Sequence, residues 1–461
     1  MRAEKRMDAV GKTEGKEPDD EPFACQESRL RGSDPALMPS AESPIPNPQS
    51  RLFILVAGEA SGDLLGADLI EGLKRRFPGA RFAGIGGPRM GEAGMEIWHP
   101  LERLSIMGLV EVLKHLPALL ALRRDVFRRT LQEKPDVFIG IDAPDFNLGL
   151  ERRLKKAGIR TAHYVSPSIW AWRENRAEKI GRCADRVLCL FPMEPPIYAR
   201  HRVDARFVGH PLADAFALHP DKLAARRTLG IADDALVLAV LPGSRLGEIA
   251  RLGRDFLDAA TLLRKEFPEL QVVIPAANAG CEQAIRALAQ EADSTIADTQ
   301  TPPHNPARWL HILPPRSRTA PDSSARSEAR TASYESHLCM LAANAILLAS
   351  GTAALEAMLA KRPMAVAYRI APMTYRIVKT LGLLRTDVYS LPNILAGRRV
   401  VPELMQHDCT PAALAATLAP MLRARALPDD TLREFVRIHE SLRGDAEHNA
   451  AAAIAGMLGN P

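Results

Sequence analysis

The sequence predicts an α/β protein built from two doubly wound parallel sheets, and three observations carry that expectation. Short β-branched runs alternate with amphipathic helical patterns from Arg51 onward, the pattern of right-handed βαβ crossovers. The alternation pauses in a connection containing Pro, His and Asp, Pro211–Arg226, and then restarts. Beyond Pro411 only helical patterns remain.

Arg51–Ala57 (RLFILVA) reads as a buried strand and Gly58–Asp63 as a turn. The helix that follows aligns Leu65, Leu69, Leu73 and Phe77 on one stripe. Further strands are expected at Arg81–Ile85, Asp136–Ile141, Thr161–Val165, Arg186–Phe191 and Ala205–Val208. The second series is Leu236–Leu241, Leu270–Pro275, Trp309–Leu313, Ala345–Ala349 and Met364–Tyr368. The expected division is a disordered extension at 1–50, a first sheet domain at 51–215, a second at 216–410 and C-terminal helices at 411–461. Residues 1–50 are charged and rich in Pro and Ser, without the apolar core of a signal peptide; an extension or an over-called start codon both suit them. Pro314–Ser333, rich in Pro, Ser, Arg and Thr, interrupts the second series as a flexible insertion.

A chain of 461 residues is too long for one ordinary core, which agrees with two domains. With 60 basic against 55 acidic residues, general nucleic-acid binding is disfavoured. Six cysteines (25, 183, 189, 281, 339 and 409) are scattered without a Cys-x-x-Cys pair, so reduced, buried thiols are expected rather than a metal site or disulfide framework. The longest apolar stretch, Ala342–Ala360, is broken by Asn344, Ser350, Gly351, Thr352 and Glu356, and no transmembrane segment is expected.

Ligands in open α/β sheets bind beyond the carboxyl ends of strands, where helix N-termini point. Gly58-Glu59-Ala60-Ser61-Gly62-Asp63 follows the first strand; Ser61 and Gly62 suit a sugar or phosphate, and equally an ordinary turn with Ser61 or Asp63 as helix cap. Gly140-Ile141-Asp142-Ala143-Pro144-Asp145-Phe146 places two carboxylates at a strand mouth. A transferase needs one base, and Asp142 is preferred for lying nearer the strand end; the plain alternative is that both only cap the next helix. Leu241-Pro242-Gly243-Ser244-Arg245 opens the second half with two residues able to present N–H groups, Gly243 and Ser244, and with a fixed cation for a pyrophosphate, Arg245. A plain turn with a solvated Arg reads the same. Ser350, Gly351 and Thr352 form a second small-residue turn, with Glu356 one helical turn on, able to accept from ribose hydroxyls or simply to be solvated. Asn393, in a Pro-Asn turn, is ambiguous alone. His163, His210 and Ile169-Trp170-Ala171-Trp172-Arg173 suit a sugar- or acyl-contacting wall, or core packing.

The stretch Ile106–Arg129 joins apolar residues, among them Val110, Leu113, Leu116 and Leu120, to a basic tail that includes Arg123 and Arg124. That combination suits a helix lying in an anionic membrane surface, or a core-facing helix with a solvated end. No Gly-x-x-x-x-Gly-Lys-[Ser/Thr] loop is present and the first strand lacks Gly-x-Gly-x-x-Gly, which disfavours triphosphate hydrolysis and dinucleotide binding.

The stretches 56–63, 140–146, His163–Arg173, 241–245, Leu348–Glu356 and Ser390–Asn393 together resemble the lipid-A-disaccharide synthase family, in the family's order and across roughly residues 51–445. The resemblance implies a GT-B-type fold of two Rossmann-like domains, an interdomain cleft and C-terminal helices. It implies transfer of 2,3-diacylglucosamine from its UDP conjugate to 2,3-diacylglucosamine 1-phosphate, inverting stereochemistry and releasing UDP. On that reading Asp142 matches the general base, while Arg245, Glu356 and Asn393 match donor-binding or catalytic positions. Peripheral contact with the cytoplasmic face of the inner membrane and a homodimer are further implications. No cofactor is expected, and the chain holds no Asp-x-Asp to carry a divalent ion on the diphosphate. Another GT-B enzyme acting on a UDP-sugar and a non-catalytic binding protein remain as alternatives.

Overall fold

A computed structural model describes residues 51–104, 109–167, 169, 176–292, 309–315, 334–349, 351–370 and 388–459; the side chains of 109–115, 292 and 334 lie outside that description. The extension 1–50 and nearly all of the expected insertion, together with Trp170–Arg173, also lie outside it.

The strands β1 (Leu52–Ala57), β2 (Arg81–Gly86), β3 (Glu96–Pro100), β4 (Val137–Ile141), β5 (Thr161–Tyr164), β6 (Arg186–Cys189) and β7 (Ala205–Phe207) form a 7-stranded sheet in the order β3-β2-β1-β4-β5-β6-β7. A 6-stranded sheet follows, from β8 (Val237–Leu241), β9 (Gln271–Pro275), β10 (Leu310–Leu313), β11 (Ala345–Ala349), β12 (Met364–Tyr368) and β13 (Glu403–Met405), ordered β10-β9-β8-β11-β12-β13. Every pairing between them is parallel. Strand order therefore reverses between β1 and β4 and again between β8 and β11, the two places where this architecture opens a ligand crevice.

Both sheets are covered on both faces, which is why their strands read as unbroken apolar runs. Along β1 the side chains alternate between two cores. Phe53 and Leu55 pack with Leu69 and Leu73, whereas Ile54 and Val56 pack with Leu122, Val126, Leu150 and Leu154. In β8, Leu238 and Val240 join Phe256 and Leu263, while Val237 and Ala239 join Leu355 and Met358 on the far side.

The C-terminal helices divide between the halves. Pro411–Ala424 and Asp429–Leu442 bury Leu414, Leu418, Phe435 and Ile438 against the second sheet. The chain then crosses back, and Ala446–Ala455 buries Ala450, Ala451 and Ile454 in the first. Gly72 permits this docking, since a Cβ there would meet Ala451 Cβ at 2.9 Å. The outgoing and returning connections are tied together where they pass. His210 N donates to Leu442 O at 2.8 Å, and the Asp214 carboxylate accepts from the backbone N of Gly444 and Ala446 at 3.1 and 2.8 Å.

Among the described residues no helix is long and apolar enough to cross a membrane, and no His, Cys, Asp and Glu cluster has the makings of a metal site. The five described cysteines are free; Cys189, Cys281, Cys339 and Cys409 are buried and Cys183 is half-buried.

Candidate functional site

Four post-strand turns converge on the two switch points. Gly58 follows β1 directly and is buried; a Cβ on it would lie 2.9 Å from Ala143 Cβ in the turn after β4. A glycine is what lets those neighbouring turns approach so closely. The helix Ala60–Arg76 starts there with Ser61 exposed and Gly62 buried. Neither Ser61 nor Asp63 is its cap: the N-cap is Glu59, without a side-chain bond. Asp63, 3% exposed, points away and caps the short helix Pro88–Glu92 instead. Its carboxylate accepts from Gly87 N (2.7 Å), Arg89 N (3.0 Å) and Met90 N (3.1 Å). Burial raises its pKa, and the Met90 and Gly87 N–H groups oppose the rise.

After β4, Asp142 and Ala143 are both left-handed, with φ of 51° and 43°. Asp142 is half-buried at the strand mouth; its N–H donates to Tyr164 O at 2.8 Å and its carbonyl accepts from Asn147 Nδ2 at 2.9 Å. Ala143, not either aspartate, occupies the N-cap of the helix Pro144–Lys156, so Asp142 is left free of capping duty. Asp145 is exposed in the first turn of that helix.

In the second half Gly243 has φ 134°, and a Cβ there would strike Glu248 at 2.5 Å. Arg245 is the exposed N-cap of the helix Leu246–Glu266. Ser244 N, expected to be open for an anion, is engaged by Glu248 Oε2 at 3.0 Å. A carboxylate therefore holds the place at a helix N-terminus where phosphate binds favourably. Across the mouth, Arg245 Nη2 lies 3.9 Å from Glu59 Oε1, so the turns after β1 and β8 face each other.

Ser350 lies outside the described residues. Gly351, φ 151°, and exposed Thr352 open the helix Thr352–Leu359. Glu356 on that helix is 7% exposed, and burial pushes its carboxyl up to about 7. Asn393 is fully buried. Its Nδ2 donates to Val401 O (2.9 Å) and Glu403 Oε1 (2.8 Å), and its Oδ1 accepts from Val400 N (2.7 Å) and Val401 N (2.9 Å). Every hydrogen-bonding site of that amide is thus used within the chain, holding the loop that leads into β13.

Of the residues expected at a membrane, Leu116 and Leu120 are exposed on the helix Leu109–Glu133, as is Arg124. Val110 and Leu113 belong to the same helix, but their side chains are outside the description. Arg123 departs from the expectation. It is half-buried, donates to Asp145 O at 2.8 Å and lies over the Phe146 ring at 5.1 Å, so it docks this helix to the Asp142 turn. Desolvation accordingly lowers its pKa.

Helical periodicity gave no reason to single out Asn147 and Glu151. Both are fully buried beneath the Asp142 turn, and Glu151 Oε1 is 2.7 Å from Nδ1 of the equally buried His163. Burial raises the Glu151 pKa, opposed by His163. Ile169 and His210 are buried as well, while Trp170–Arg173 lie outside the described residues.

Comparison with known proteins bears on the chemistry these turns support. The family described as Lipid-A-disaccharide synthetase matches residues 53–301 and 319–454. The lipid-A-disaccharide synthase of Xanthomonas campestris pv. campestris (strain 8004) is 52% identical over 427 residues, covering 92% of this chain and 91% of that protein. That of Xylella fastidiosa (strain M12) is 52% identical over 410 residues, covering 89% and 99%. A solved UDP-GlcNAc 2-epimerase from Neisseria meningitidis shares the fold at TM-score 0.55 and 12% identity, covering 89% of this chain and 99% of that one. The sequence matches run through both sheets and all four switch-point turns, and on that ground the chain belongs to the lipid-A-disaccharide synthetase family of glycosyltransferases.

Proposed function

We propose that the cleft between the two strand mouths transfers 2,3-diacylglucosamine from UDP-2,3-diacylglucosamine to the 6-hydroxyl of 2,3-diacylglucosamine 1-phosphate. The products are the β(1→6)-linked disaccharide 1-phosphate of lipid A biosynthesis and UDP. The observation that carries the reading is the facing of the turns after β1 and β8, marked by Glu59 and Arg245, with Asp142 free at the mouth of β4 beside them.

The step is one inverting displacement. The Asp142 carboxylate takes the acceptor hydroxyl proton as that oxygen attacks the donor's anomeric carbon. The bond from that carbon to the diphosphate breaks, and the electron pair leaves on UDP. Arg245 and the Gly351–Thr352 turn meet the growing negative charge, joined by the Gly243–Ser244 turn once Glu248 gives up Ser244 N. Ser61 and Gly62 border the acceptor side. Ser350 completes the second turn in sequence, and Glu356 receives ribose hydroxyls. Asn393 serves the donor through the loop that it holds. Exposed Leu116, Leu120 and Arg124 support peripheral contact with an anionic inner membrane on its cytoplasmic face. A homodimer exchanging C-terminal helices rests on the resemblance alone.

The test is incubation of the purified protein with the two acylated substrates, reading UDP release and disaccharide. No UDP from that pair, with turnover of an unacylated UDP-sugar, sinks the reading. Asp142→Ala is expected to lose turnover, by about 100- to 10,000-fold, while keeping UDP-sugar binding.

A further inference from the structure

We propose that Asn147, seated over the buried Glu151–His163 pair, is a positioning residue that holds the Asp142 carboxylate in its reactive orientation. The inference rests on the reading of Asp142 as the base.

Asp142 and Ala143 are consecutive left-handed residues, with φ of 51° and 43°, a conformation unfavourable for any side chain with a Cβ. Such backbone persists only where its surroundings over-determine it. Backbone bonds from Asp142 N to Tyr164 O and from Phe146 N and Asn147 N to Ala143 O help to hold it, and one side-chain amide adds to them. Asn147 Nδ2 donates to Asp142 O at 2.9 Å and lies 3.2 and 3.3 Å from Val56 O and Ile141 O. Those carbonyls are at the carboxyl ends of β1 and β4, the two strands of the first switch point. A single group therefore ties the turn to both strands that open the site.

What lies beneath is costly to bury and so calls for a reason. Asn147, Glu151 and His163 are each 0% exposed between the helix Pro144–Lys156 and the sheet, a place that apolar side chains would fill more favourably. Glu151 Oε1 meets His163 Nδ1 at 2.7 Å; Asn147 Oδ1, Glu151 Oε2 and His163 Nε2 find no partner among the described residues. Gly140 makes the room: a Cβ there would stand 2.1 Å from Glu151 Oε1 and 2.9 Å from Asn147 Cβ. Local rules broken together under one turn are expected where the turn does chemistry.

A structural brace and a positioning residue differ in how they couple to Asp142. The experiment is a double-mutant cycle with Asn147→Ala and Asp142→Asn, measuring kcat, donor KM and melting temperature on the full chain with the acylated substrates. Asn147→Ala is expected to lower kcat about 10- to 100-fold with donor KM changed less than about 2-fold. On the Asp142→Asn background the same substitution is expected to cost less than about 2-fold, since there is no carboxylate left to orient. An equal loss in both backgrounds, or an unchanged kcat in the first, overturns the proposal. If Asn147→Ala yields little folded protein, Asn147→Leu, which keeps the bulk but removes the donor, is taken through the same cycle with the same criteria. Full turnover by Asp142→Asn alone would instead overturn the base assignment, and so marks the failure of the underlying reading separately.

Discussion

Arg245 Nη2 stands 3.9 Å from Glu59 Oε1, and this pair links the N-terminus of the first helix to the N-terminus of the helix after β8. Both side chains are about half exposed, so their attraction contributes at most about 1 kcal/mol to stability. Its meaning is positional: Arg245 is held loosely by a carboxylate, and on the proposed reading the donor's diphosphate takes that carboxylate's place. Arg245→Ala is expected to cost about 100- to 1000-fold in kcat, with melting temperature nearly unchanged. Arg245→Lys restores only part of this, because a point charge cannot match two phosphate oxygens at once. Wild-type turnover in Arg245→Ala would remove the residue from the leaving-group side.

Gly140 supplies a stability prediction. A methyl there enters the space of Glu151 Oε1, a side-chain end pinned by burial, and of Asn147 Cβ, which is fixed to its helix. Gly140→Ala is expected to destabilise by about 1–3 kcal/mol, read as a drop in denaturation midpoint. A midpoint within error of the parent means that the Glu151–His163 pair moves aside freely.

How much of this was legible follows from where each signal resides. Strands buried on both faces announced themselves, because β1, β4, β8 and β11 need apolar residues at every position. The missed strands, β3 and β13, are sheet edges carrying Glu96, His99 and Glu403, and an edge has no such requirement. Turn glycines at 58 and 243 were visible as candidates for the same reason: close approach demands that residue whatever the tertiary context. Asp63 was not readable, since its partners Gly87 and Met90 lie more than twenty residues on, and neither was Asn393, whose partners include Glu403. Arg123 looked like part of a basic surface because sequence does not show Phe146 and Asp145 beside it.

Glu403 and Asn393 form a second brace with its own consequence. The Glu403 carboxylate accepts from Tyr389 N (3.1 Å), Ser390 N (2.7 Å) and Asn393 Nδ2 (2.8 Å). Asn393→Ala leaves Val400 N, Val401 N, Val401 O and Glu403 Oε1 without the amide that they bond, at a cost of about 2–4 kcal/mol. If the loop matters to the donor only through its shape, donor KM rises in Asn393→Ala and falls back when a second-site stabilised loop restores protection of the Val400 and Val401 amides from hydrogen exchange. KM that rises with those amides still protected points to direct contact.

Glu356 gives the pH prediction. Burial lifts its carboxyl up to about 7, above the ordinary value of 4.5 that it has in an unfolded chain. The folded state therefore holds the proton more tightly. Its contribution to stability is fully present below about pH 4.5, declines as pH rises, and is lost once pH passes through 7. The penalty at alkaline pH is on the order of 3 kcal/mol. Glu356→Gln, neutral throughout, is expected to match the parent's melting temperature near pH 5 and to exceed it increasingly toward pH 8. If ribose hydroxyls donate to the ionised carboxylate, affinity for a UDP-sugar, whose diphosphate does not titrate in this range, rises from pH 6 to pH 8 in the parent and stays flat in Glu356→Gln. A parent affinity that is flat across the same range, alongside the expected melting behaviour, leaves Glu356 a buried acid with no part in holding the donor.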